Sequence, residues 1–256
     1  MISHRRPAAN RILSLFRIFT ISAGTLRTIL RLYDRDPKGS NREIRVATKK
    51  WSDDILSLMG GHVRVHGSPV CAEPCLYVGN HVGFMDIVVT MNVINKSFVS
   101  KKEVQKWPIF GKGQMVLEGV FVDRSNAANR NKVAETIAHA IQVEKKSIVL
   151  FPEGTSSLVG KDWKRGAFVM AKRHNFKVQP FRLAYKPARL CAYFGTDNFI
   201  LSLWKLLGIV HFDVDVEFFE PQSIADADVE TREIQAMVQA SYAQQMRLWG
   251  EQLAIE

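Results

Sequence analysis

The sequence predicts an α/β protein: a mixed, largely parallel sheet flanked by helices, preceded by an N-terminal amphipathic two-helix segment. Three observations predict it. From residue 62 onward short β-rich runs alternate with helical stretches, and strands separated by helices form α/β sheets. The chain has 256 residues, 46% of them hydrophobic, which is enough apolar mass for a core. Its 16 Gly and 9 Pro follow no period, and no internal repeat or low-complexity tract is present, so fibrous, solenoid and disordered classes are excluded.

Residues 10–33 (NRILSLFRIFTISAGTLRTILRLY) predict the first helix. Its longest run without a charge, residues 18–26, falls well short of the roughly 20 apolar residues of a spanning helix. At about 100° per residue Arg17, Arg27 and Arg31 share one arc of roughly 80°, opposite a broad Leu, Ile and Phe face. An arginine face without acids predicts a helix lying in a lipid interface, its guanidinium groups toward anionic headgroups; a core-packed amphipathic helix is the alternative. A signal peptide is disfavoured because Arg17 interrupts the apolar run and no A-x-A site follows. The polar break DRDPKGSN ends this helix, and residues 42–59 predict a second, stopped by Gly60-Gly61.

Strands are then predicted at HVRVH (62–66), CLYVG (75–79), SFVS (97–100), VFVD (120–123), SIVLF (147–151), VQPFRLAY (178–185) and FDVDVEFF (212–219). Helices are predicted near Ile87 and over 126–144, 166–173 and 228–253. The apolar stretch 199–210 (FILSLWKLLGIV) suits a core element and, through Trp204 and Lys205, an interfacial lid equally well. This organisation divides the chain into a membrane-association segment, 1–61, and an α/β domain, 62–256.

The formal charge of +10 is unevenly placed: +9 over residues 1–50, −3 over 51–95, +12 over 96–189 and −8 over 190–256. A basic block faces nucleic acid, anionic lipid or a phosphorylated ligand. Nucleic acid is excluded because the basic residues are not interleaved with stacking aromatics and no nucleic-acid motif is present. A basic peripheral lipid-binding protein without catalysis is the non-enzyme alternative. Three cysteines, Cys71, Cys75 and Cys191, are too few for a disulfide framework and fit a reducing compartment on the cytosolic side. His62, His66, Cys71 and Cys75 form a loose cluster of non-standard zinc spacing, and the alternating strand HVRVH argues against it, so no metal is assigned.

Ligands of α/β sheets sit beyond the carboxyl ends of strands, and three predicted strand ends carry polar clusters. CLYVG runs into Asn80-His81-Val82-Gly83-Phe84-Met85-Asp86, VFVD into Arg124-Ser125-Asn126, and IVLF into Pro152-Glu153-Gly154-Thr155-Ser156-Ser157. On one continuous helix His81 and Asp86 would point about 140° apart. They meet if His81 lies in the turn before a helix and Asp86 in its first turn, with Gly83 relaxing the backbone between them. Asp86 then holds one imidazole nitrogen protonated and frees the other as a general base. G-x-S-x-G and P-loop patterns are absent, which removes the commonest hydrolase and NTP-binding classes.

These residues resemble the 1-acyl-glycerol-3-phosphate acyltransferase family. NHVGFMD resembles its His-x4-Asp block, GVFVDRSN its second block with a phosphate-binding arginine, FPEGTSS its third, and KVQPFRLAY its fourth. Four motifs in this order, across roughly residues 80–180, are specific where any one is weak. The resemblance implies transfer of a fatty acyl group from acyl-CoA or acyl carrier protein to the free hydroxyl of 1-acyl-glycerol-3-phosphate, giving phosphatidic acid in phospholipid biosynthesis. It implies His81 as base, Asp86 as its orienting partner, and backbone N–H groups with Lys101 at the oxyanion. Arg124 would clamp the acceptor phosphate, and Glu153, Gly154 and Thr155 would shape the acceptor site. No cofactor is implied beyond the thioester co-substrate; the partners are a lysolipid, the acyl carrier and an anionic membrane surface. The expected location is monotopic, on the cytoplasmic face of the inner membrane. The family commonly has Arg after Glu-Gly-Thr, and here the position is Ser156. Related acyltransferases of lyso-ornithine lipids lack this arginine too, which makes a lyso-ornithine lipid, or another lysolipid, the alternative acceptor. Ser156→Arg is accordingly expected to favour the phosphate acceptor.

Overall fold

The computed structural model describes residues 11–33, 41–69, 74–101, 120–122, 127–195 and 197–252. In chain order the elements are α1 (Arg11–Tyr33), α2 (Asn41–Met59), β1 (Gly61–His66), β2 (Leu76–Gly79), α3 (Met85–Val93), β3 (Ser97–Lys101), β4 (Val120–Val122), α4 (Ala127–Gln142), β5 (Ile148–Leu150), α5 (Gly166–His174), β6 (Val178–Lys186), α6 (Ala188–Cys191), α7 (Phe199–Leu207), β7 (Phe212–Phe218) and α8 (Ala227–Trp249). Each of the seven predicted β runs contains a strand. The short α6 is not foreseen by the sequence pattern.

The strands form one sheet in the order β1-β7-β6-β2-β5-β3-β4. Pairings are parallel except β6 with β7, so β1 and β7 run opposite to the other five. The central strand β2 is buried at every residue, and β6 at all but its last, because helices cover both faces; hence their near-continuous apolar runs. Alternation along β2 divides two cores. Tyr77 joins Phe181 and residues of α2, α3 and α7 on one face, whereas Leu76 and Val78 join Ile148, Val178 and residues of α4 and α5 on the other. Each large apolar side chain so buried contributes about 1.5–3 kcal/mol.

The N-terminal helices are tied to each other and to this body by specific bonds. The Trp51 indole donates to Thr25 Oγ1 at 2.9 Å, and the Ser14 hydroxyl to the Trp204 carbonyl of α7 at 3.1 Å. Arg17 does not face outward with Arg27 and Arg31, which are exposed; the arc expected from the helical wheel is corrected here. It is buried, 4% exposed, and its guanidinium donates to the carbonyls of Leu58 at 3.0 Å, Leu207 at 2.9 Å and Ile209. The first two carbonyls belong to the ends of α2 and α7, where helices leave acceptors unsatisfied and the macrodipole is negative; the third lies two residues beyond α7. Burial holds the Arg17 guanidinium below its ordinary pKa.

The outer face of α1 leaves Ile12, Leu15, Phe16, Phe19, Leu26 and Leu30 exposed. The stretch Arg11–Leu32 is long and apolar enough to cross a membrane by length and composition, despite the charges that break it. Helix α2 in turn docks on the α3 end: Thr48 Oγ1 donates to Asn95 Oδ1 at 2.9 Å, and Asn95 Nδ2 to the Arg45 carbonyl at 2.8 Å.

Candidate active site

Strand β2 ends at Gly79, and the chain turns through residues 80–84 into α3. Asn80 staples this turn to β6: its Nδ2 donates to the Leu183 carbonyl at 2.9 Å, and its Oδ1 accepts from the Leu183 N–H at 2.8 Å. His81 lies in the turn and Asp86 in the first turn of α3, with Nδ1 of His81 2.6 Å from Oδ2 of Asp86. The same carboxylate oxygen accepts from the N–H groups of Val82 at 2.6 Å and Gly83 at 3.0 Å. Asp86 is fully buried, and the His81 side chain is 25% exposed. A carboxylate held by three donors fixes Nδ1 as the protonated nitrogen and leaves the Nε2 lone pair of the neutral ring for a substrate.

Gly83 is required by packing rather than by φ. A Cβ there would overlap the Cys191 carbonyl and stand 3.2 Å from the Tyr193 nitrogen. The turn is clamped from both sides: Tyr193 N–H donates to the Val82 carbonyl at 3.1 Å, and Ser157 N–H to the His81 carbonyl at 2.7 Å. Phe151, the residue after β5, stacks on the His81 ring with centroids 4.4 Å apart and planes 14° apart. Phe84 stacks on Tyr193 at 4.5 Å and meets Phe199 of α7 edge-on at 5.2 Å, joining the turn to the helix whose Ile200 and Leu201 are exposed.

Glu153 is buried, and its Oε1 accepts from the His81 N–H at 3.3 Å. Burial pushes its carboxyl up to about 8; the His81 N–H opposes the shift and the charge of Asp86 adds to it. A carboxyl raised that far is protonated at neutral pH. Burial, and then the charge of Asp86, also push the Tyr185 and Tyr242 phenols upward. Their hydroxyls, like Asp86 Oδ1 and Glu153 Oε2, have no hydrogen-bond partner among the described residues.

The structure therefore brings His81, Asp86 and Glu153 together. Gly154, at φ 74°, closes a turn by donating to the Phe151 carbonyl at 3.1 Å, and Thr155 is exposed beside it. Ser156 is buried with its hydroxyl on the Tyr193 carbonyl, so an arginine does not fit this position without displacing that segment. Lys101 ends β3, its backbone paired with Val122 two strands from β2. Arg124 lies outside the described residues. Phe151, Asn80 and Tyr185 stand at the site without a role assigned by sequence reasoning. Their signal is position: each sits in or beside a motif, at a strand end.

A family model described as acyltransferase matches residues 62–184. The lyso-ornithine lipid O-acyltransferase of Brucella abortus is 31% identical over 65% of this chain and 69% of its own length. The chain belongs to the acyltransferase family. A second relative, the lyso-ornithine lipid O-acyltransferase of Rhizobium meliloti, is 36% identical over 43% of the chain, a match that spans 37% of the Rhizobium protein. The crystal structure of the 1-acyl-sn-glycerophosphate (LPA) acyltransferase PlsC from Thermotoga maritima superposes with a TM-score of 0.72 over 91% of this chain and 94% of that one, at 18% identity. That likeness establishes the fold of the chain: a mixed α/β sheet with flanking helices, here behind an apolar N-terminal helix.

Proposed function

We propose that the protein is a membrane-associated O-acyltransferase that moves a fatty acyl group from the thioester of acyl-CoA or acyl carrier protein to the free hydroxyl of a lysolipid. The observation that carries this reading is the His81 imidazole: backed by a buried carboxylate at one nitrogen and open at the other. Nε2 takes the proton of the acceptor hydroxyl as its oxygen attacks the thioester carbonyl. Asp86 stabilises the imidazolium that forms. The oxyanion is met by backbone N–H groups and Lys101. Collapse breaks the C–S bond, and His81 returns its proton to the departing sulfur, leaving the ester and a free thiol. Glu153, Gly154 and Thr155 shape the acceptor side. No cofactor enters this scheme.

In the first acceptor reading the lysolipid is 1-acyl-glycerol-3-phosphate and the product phosphatidic acid, with Arg124 on the phosphate. A second reading, a lyso-ornithine lipid acceptor, is favoured by Ser156, which offers a neutral hydroxyl already engaged with a carbonyl. Residues 1–61 act as the membrane-association segment and 62–256 as the catalytic domain. The exposed apolar faces of α1 and α7 rest in the lipid at the cytoplasmic surface, where the acceptor resides.

The test is mass spectrometry of lipids formed by the purified protein from both lysolipids with both donors. An acylated product is expected, with His81→Ala lowering turnover by about 10²–10⁴-fold. Full activity in that variant, with the fold intact, would overturn the mechanism; no product from any pair would overturn the substrate class.

A further inference from the structure

Away from the dyad, at the β1 edge of the sheet, His62, His211 and Asp213 converge. β1 and β7 pair with His62 opposite Asp213, and His211, the residue just before β7, reaches the Asp213 carboxylate at 3.6 Å. The imidazoles of His62 and His211 meet edge-on with centroids 4.7 Å apart. One ligand atom from each of the three residues lies within 4.8 Å of the other two. We propose that this triad binds a single divalent transition-metal ion, zinc foremost, through two imidazole nitrogens and one carboxylate oxygen, with solvent as the fourth ligand.

Two nitrogens and one oxygen are a zinc donor set, and bonds of about 2.0–2.2 Å in a tetrahedron need ligand atoms about 3.3–3.5 Å apart. His211 Nε2 is already 3.6 Å from Asp213 Oδ2, and both histidines are exposed, so their rings are free to turn. The other carboxylate oxygen, Oδ1, stands 3.8 Å from the Arg64 guanidinium, which orients Asp213 as an outer partner orients a metal ligand. Of the zinc cluster considered from spacing, His66 is engaged by Asp215 at 2.9 Å, Cys75 is buried in the core, and Cys71 lies outside the described residues. The triad joins the segment leaving α2 to the segment leaving α7, the same two helix ends whose carbonyls hold Arg17. A bound ion there fastens the platform formed by α1, α2 and α7.

Full-length protein stripped with EDTA is titrated with zinc chloride against a chromogenic chelator, and thermal melting is followed with and without zinc. One equivalent is expected to bind. His62→Ala and His211→Ala each weaken binding at least about tenfold, the double variant abolishes it, and His66→Ala leaves it unchanged. Zinc at a hundredfold excess over Kd raises the melting temperature by about 5–10 °C in the natural chain and not in the double variant. Metal-free melting curves verify that the variants fold. Absence of binding by the natural chain, undiminished binding by the double variant, or loss of binding only on cysteine alkylation overturns the proposal.

Discussion

Replacing Glu153 by Gln isolates the cost of its buried carboxyl. A group that ionises near 4.5 when unfolded and at about 8 when folded is protonated in the native protein while the unfolded chain has already released its proton. Stability is therefore full below pH 4.5, falls as pH rises toward 8, and levels off above it. The integrated loss is roughly 5 kcal/mol. Gln is neutral at every pH and retains the oxygen that accepts from His81 N–H. The Glu153→Gln protein should match the natural chain near pH 5 and exceed its unfolding free energy by an amount that grows through neutral pH to about 5 kcal/mol at pH 9. Urea unfolding followed by tryptophan fluorescence between pH 5 and 9, in mild detergent, measures both. A stability difference that does not change with pH, or that shrinks as pH rises, refutes the reasoning.

Gly83→Ala should destabilise the turn and remove activity together, because its Cβ overlaps the Cys191 carbonyl; melting curves and product assays check this, and a fully active variant contradicts the packing. Asp86→Asn keeps an acceptor oxygen for Val82 and Gly83 but loses the charge beside the imidazolium, so turnover should fall about as far as in His81→Ala, or less, without a large loss of stability. Arg17→Met strands three carbonyls and should cost about 3 kcal/mol or more, read by urea unfolding, whereas exposed Arg27→Met should be nearly neutral in stability and weaken vesicle binding instead. Arg124→Ala should weaken use of 1-acyl-glycerol-3-phosphate by about ten- to a hundredfold, compared by product formation with a lyso-ornithine acceptor. Ser156→Arg should lower the melting temperature and impair both acceptors, in place of the gain its motif position alone implies.

The strands were legible because the central ones are buried on both faces and must be short apolar runs between turns. Their order was not, since the reversal between β6 and β7 depends on a long-range pairing such as Leu183 with Val216. The His81 and Asp86 contact was foreseeable from five residues and one glycine. The ring that Phe151 stacks on His81 and the burial of the Tyr185 phenol near the Asp86 charge were not, because only strand order brings β5 and β6 beside β2. Arg17 shows the limit of a helical wheel: it gives the arc a side chain shares, and says nothing of the carbonyls another helix presents there. His62 and Asp213 likewise meet through a register joining positions at opposite ends of the sequence.

Cys191 makes the turn observable. Its carbonyl fills the space beside Gly83, its thiol is 1% exposed, and burial pushes that thiol far above its ordinary range. Alkylation therefore proceeds only when residues 191–193 lift away, and its rate reports how often they do. The same lifting would break the Tyr193 bond to the Val82 carbonyl and uncover the backbone around His81. Labelling rates measured with and without lysolipid distinguish an acceptor that enters past a closed segment from one that waits for it to open. A native residue thus serves as the clock for a motion at the heart of the turn that carries His81.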